Sequence, residues 1–223
     1  MWASIRALSP ALSFLGILAL FGGTAAAEQF SADIVTTNAG DRMAGAAGKL
    51  YVRDSLVRFE TPDFRSGRFL VNVSADTAFF VMPAQDIYMD AKESSSLTQI
   101  LVPVDPGDPC QAWQTMAKIA GAAGHGSKWH CRRLGTDNID GRQVIEYQAT
   151  SPAGSAITAT IDPLLKFPIT FQYQDGTKVE LVDIREQPQP AALFQMPAGS
   201  RKFDPQQLIE RIKRSDVWVE PPK

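Results

Sequence analysis

The chain has 223 residues, with 22 Lys+Arg against 24 Asp+Glu and a formal net charge of −2. So even a balance carries no electrostatic footprint for nucleic acid. Its one long apolar run, Ala11–Phe21, is too short to span a bilayer comfortably.

That run lies behind a basic Arg6 and ahead of Thr24-Ala25-Ala26-Ala27, the layout of a secretory signal peptide cut after Ala27. Removing residues 1–27 takes away one arginine and no acid, which leaves a net charge of −3. Residues 28–223 are expected to form one exported domain, since no repeat or low-complexity linker divides them.

Strand signals begin at once. "QFSADIVTT" alternates Phe30, Ala32 and Ile34 with polar neighbours, the period of a half-buried strand. "GKLYVRDSLVRFET" predicts two strands about Asp54-Ser55, with Leu50 and Val52 on one face and Lys49, Tyr51 and Arg53 on the other. "GRFLVNV" and "TAFFVMP" follow around Ser74-Ala75-Asp76, and "QDIYMD" adds a short run. "SSSLTQIL" (94–101) predicts a short helix.

A second helix is predicted over 108–124. Asp108 caps it, Pro109 occupies the first turn, and Trp113, Met116, Ala117 and Ala120 recur at helical spacing before Gly121 and Gly124. Five more strands follow: "SKWHCRRLG", "RQVIEYQAT", "SAITATID", "FPITFQYQ" and "TKVELVDIRE". Asp140-Gly141 and Asp175-Gly176 are hairpin turns, and Ala153-Gly154 is a third turn. A last helix is predicted from "FDPQQLIERIKR", capped by Asp204.

The fold class is therefore mainly β. About eleven strands in a near-continuous antiparallel meander form a strongly curved sheet or incomplete barrel, with helices covering its concave face.

Both cysteines and both histidines lie between Cys110 and Cys131. A zinc site would need His130 and Cys131 to share one metal, yet adjacent residues on a strand point to opposite faces. His125 sits in the glycine-rich "GAAGHGS". An exported chain with an even pair of thiols is expected to join Cys110 to Cys131, a staple of about 3 kcal/mol on the loop-entropy model. No metal, cofactor or catalytic residue is expected. The acids Asp54, Asp76, Asp140 and Asp175 fall in turns, and no nucleophile, metalloprotease or phosphate-loop motif is present.

Ile145, Tyr147, Ile157, Ala159, Ile161, Ile169, Phe171 and Tyr173 read as inward-facing. They form either ordinary core or the lining of a lipid-sized pocket beneath Trp113 and Met116.

Three stretches, "GKLYVRDSLVRFE", "VSADTAFFVMPAQDIYM" and "PQPAALFQMPAG", together resemble the LolA-like periplasmic lipoprotein carriers and their relatives. That resemblance implies a half-barrel whose helical lid covers an apolar cavity for acyl chains. It implies a periplasmic address and, as partner, a lipid or an acylated lipoprotein. It also implies an arginine latch on the lid, with Arg53 the nearest match and Arg58 the second. The staple is a departure from the carrier; it puts shuttling in doubt and leaves binding or structural roles open. The rival expectation is an envelope sensor or scaffold that docks a protein partner.

Overall fold

A computed structural model describes residues 28–38, 40, 45–62, 66–91, 97–119, 128–151 and 154–204. The expected signal peptide, His125, the end of the helix expected over 108–124 and the helix expected after Asp204 lie outside the described residues.

The first half contributes β1 (Gln29–Thr37), β2 (Gly45–Arg53), β3 (Leu56–Glu60), β4 (Arg68–Asn72), β5 (Thr77–Met82) and β6 (Ile87–Asp90). A single helical turn, α1 (Leu97–Ile100), precedes α2 (Pro109–Ile119). Then come β7 (His130–Ile139), β8 (Arg142–Thr150), β9 (Ala156–Asp162), β10 (Phe167–Tyr173), β11 (Lys178–Glu186) and β12 (Arg201–Lys202).

All twelve strands join one open, curved sheet in the order β12-β6-β5-β4-β3-β2-β1-β11-β10-β9-β8-β7. The expected near-continuous antiparallel meander of about eleven strands, interrupted once by helix, has twelve strands among the described residues. Its two runs are sewn together by β1 against β11, and β12 adds a short parallel pair outside β6. Period-2 alternation identifies a strand but not its distant neighbour, and two residues are too few to show a period at all.

The register explains why one face is dry. Phe30 pairs with Val52 and Ala32 with Leu50, while Leu50 pairs with Phe59 and Phe59 with Phe69. On the other side, Phe171 pairs with Val179 and Ala159, and Tyr147 with Ala159. Paired residues share a face, so the apolar sets of successive strands merge into one core cluster.

Hairpin turns set these registers. Asp54, Asp76 and Asp140 all take positive φ there, a conformation that a short polar side chain tolerates. Asp162, only 1 % exposed, is neutralised by Arg142 at 3.0 Å, and its other oxygen accepts the Leu164 and Leu165 amides. That carboxylate therefore fixes the turn between β9 and β10.

A second device crosses the opposite face. After β11 the chain runs as a strap over residues 187–200, with a 3-10 turn at Ala191–Phe194. It reaches the far side of the sheet, where the amides of Arg201 and Phe203 donate to Asp86 O and Tyr88 O.

Candidate ligand-binding face and the strap behind it

The apolar face meets the helical segment at Trp113. This residue is 1 % exposed on α2, and its ring lies 6.0 Å from Phe171 on β10 and 5.9 Å from Trp129. Its indole Nε1 donates to Ile100 O at 3.0 Å, so the one polar atom of the ring is satisfied by α1. Tyr147 on β8 donates its hydroxyl to Pro106 O at 2.7 Å, and Val104 N donates to Lys166 O at 2.8 Å. Cys110 and Cys131 are joined, with Cα atoms 5.7 Å apart, and this fastens the start of α2 to β7. The staple expected from the sequence is present.

The structure brings the expected pocket residues together. Trp113, Met116, Tyr147, Ile157, Ile161, Ile169 and Phe171 are each 5 % exposed or less, and Ile145 packs partly buried against them. A void wide enough for an acyl chain would show as accessible area on its walls. In this state the side chains fill the space themselves.

The two arginines lie elsewhere. They share the face of Lys49 and Tyr51, turned away from Leu50 and Val52. Arg53 Nη1 donates to Gln189 O at 3.0 Å, and Arg58 Nη1 donates to Leu193 O at 2.9 Å. Arg58 also binds the Glu60 carboxylate through Nε and Nη2, and its guanidinium sits 5.6 Å from the Tyr51 ring centre. Both arginines do hold carbonyls, as a latch should. The carbonyls belong to the strap, however, and not to the expected lid of residues 94–124. The reason is the strand period, which sets Arg53 opposite to the apolar face. On β4, Arg68 has its guanidinium pushed below the ordinary value by burial and then by Arg58, with Glu60 offsetting part of this.

The sequence reading missed the strap. Its residues have no periodicity, and its one local signal was "PQPAALFQMPAG", where Phe194 and Met196 line a cleft of about 200 Å³ with Leu56, Leu70 and Phe79. Among the described residues, no group of three or more His, Cys, Asp or Glu is placed to hold a metal ion. No described helix is long and apolar enough to cross a membrane.

The fold and site therefore define an open single-sheet β protein with a stapled helical segment on its dry face. No family model matches the chain, and no curated protein matches it. Several solved structures are similar at low identity. An uncharacterised conserved protein from Thermus thermophilus is 12 % identical with a TM-score of 0.45, over 80 % of this chain and 91 % of its own. The MucA/MucB complex of Pseudomonas aeruginosa gives 13 % and 0.40, over 79 % of this chain and 59 % of that one. A putative outer membrane lipoprotein-sorting protein domain from Vibrio parahaemolyticus gives 11 % and 0.35, over 78 % and 92 %. With TM-scores below 0.5, these neighbours add no weight to what the sheet itself shows.

Proposed function

We propose that this chain is a periplasmic lipid- or lipoprotein-binding protein that takes acyl chains between the sheet and the α1–α2 segment. One observation carries the reading: the dry face is far larger than its helical cover. Nine strands, β1 to β5 and β8 to β11, supply its buried residues and at about 4.8 Å spacing make it roughly 40 Å wide, whereas α2 is only about 16 Å long. Such a sheet must curl around its own apolar side chains, and its interior is closed by rings and aliphatic groups. Among the described residues, the polar contacts that seat the cover include Tyr147 to Pro106, Val104 to Lys166 and Trp129 N to Gln114 Oε1, while Trp113 to Ile100 joins its two helices. At about 1 kcal/mol net each, such bonds can be exchanged for ligand burial. Trp113, Met116, Ile145, Tyr147, Ile157, Ile161, Ile169 and Phe171 would then become the lining, and the resemblance supports the same ligand class.

The test has two arms. Organic extracts of gently purified protein, analysed by mass spectrometry, are expected to contain acyl-chain species absent from a control periplasmic protein. A fluorescent fatty acid is expected to bind saturably and quench tryptophan emission, with the quenching reduced in Trp113→Phe. If neither arm shows lipid, the dry face is simply core and the carrier reading fails.

A further inference from the structure

The sheet ends in two unequal edges. On one side β6 is shielded by β12 and by the chain that returns from the strap. On the other lies β7, ten residues long and paired only with β8 among the described residues. An edge strand carries a row of backbone donors and acceptors that another extended chain can complete. The side chains along β7 are mostly exposed, Leu134 42 % so, and its leading half is basic. Lys128, His130 and Arg132 recur at alternate positions, with Arg133 on the opposite face. Acidic side chains enter only later, at Asp137 and Asp140.

We propose that the leading half of β7 is a docking edge for an extended acidic segment of a partner polypeptide, which adds as a further strand. Charge and register both select this occupant. Alternate acidic residues on an incoming strand would face Lys128, His130 and Arg132 along one side of the sheet. A second copy of this chain fits less well. A two-fold through the basic half would set like charges against each other. A two-fold further along would fall on the bulge at Leu134, where the register breaks between Arg133 and Gly135. A foreign segment can pair with the leading half alone and stop before the bulge. An anionic lipid surface would meet the charge but has no use for the backbone row. The proposal uses the edge and not the dry face, so it stands apart from the lipid reading.

The test pans random displayed decapeptides against the intact chain. Enriched sequences are expected to carry Asp or Glu at alternate positions, and to lose at least tenfold in affinity against Arg132→Glu/Arg133→Glu. The best binder is then made with N-methyl groups on its odd or on its even amides. A strand bonded along one edge tolerates one phase and not the other. No enrichment, equal affinity for the charge variant, or indifference to N-methyl phase each overturns the proposal. Two other results reassign the edge and overturn it equally. One is charge-dependent binding to phosphatidylglycerol vesicles with no peptide enriched. The other is a dimer in sedimentation that dissociates in Arg132→Glu. If the double variant fails to fold, the N-methyl comparison on the wild-type chain still decides.

Discussion

Arg58 and Arg53 sit on adjoining strands and hold different carbonyls of one strap, but they are not equivalent. Among the described residues, the Arg53 guanidinium makes one hydrogen bond, to Gln189 O. The Arg58 side chain is 13 % exposed, and it donates to Leu193 O through Nη1 and to Glu60 Oε1 through both Nε and Nη2. Truncating Arg58 therefore strands a partly buried carboxylate as well as a carbonyl. Arg58→Leu is expected to cost about 2–3 kcal/mol and Arg53→Leu about 1 kcal/mol, read from urea midpoints. Amide exchange across residues 187–200 should rise in both variants, while exchange in α2 stays unchanged. An effect on α2 instead would return the arginines to the role the resemblance implied. Arg58→Lys should not rescue, because a single ammonium cannot span the strap carbonyl and the carboxylate together. The direction of these side chains was legible in the sequence, since alternation already set Arg53 with Lys49 and Tyr51. What they hold was not, because the strap lies far along the chain and follows no period.

At the scale of the element, strands were legible wherever one face is wet and the other dry. β1 and β3 follow the alternation closely, whereas β10 is buried on both faces over Phe167–Phe171. Asp54, Asp76, Asp140, Gly141 and Gly176 supply left-handed backbone in hairpin turns, and Lys166 does so between β9 and β10. The irregularities inside strands were not legible. β2 starts earlier than its alternation suggests because the chain bulges near Gly48, where the register of β1 and β2 shifts between Ile34 and Val35. A Cβ on Gly48 would meet Glu60 O at 2.1 Å, a backbone atom that cannot step aside, and its φ of +152° is also rare for other residues. Gly48→Ala is therefore expected to lose more than about 3 kcal/mol in a urea titration. Gly135 on β7 provides the contrast, with nothing within 4 Å of a new Cβ. Gly135→Ala should shift stability by no more than about 0.5 kcal/mol. Similar losses at both positions would mean that the crowding at Gly48 is relieved by easy backbone movement.

For the whole molecule, the cysteine pair was legible, because an even count, a helix-then-strand context and the export expected from the sequence all agree. The joining of the two runs was not. Thr37 pairs with Lys178, and no local pattern marks a partner so distant in the chain. Cys110→Ser/Cys131→Ser is expected to lower global stability by about 3 kcal/mol, seen as a fall in melting temperature with the β signal of circular dichroism retained. If the loss were negligible, the contacts of Trp113 alone would hold α2 in place. The position of the bridge also limits how α2 can move. It ties the first turn of the helix to the rim strand β7. A rod pinned at one end cannot lift away; it can only swing. The pivot then lies on β7, and the widest gap opens on the side remote from it, over the middle of the sheet. Anything entering beneath the helix would come from that side, and a strand added to β7 would load the pivot itself. The rim and the interior would thus share one mechanical axis, set by a single covalent bond.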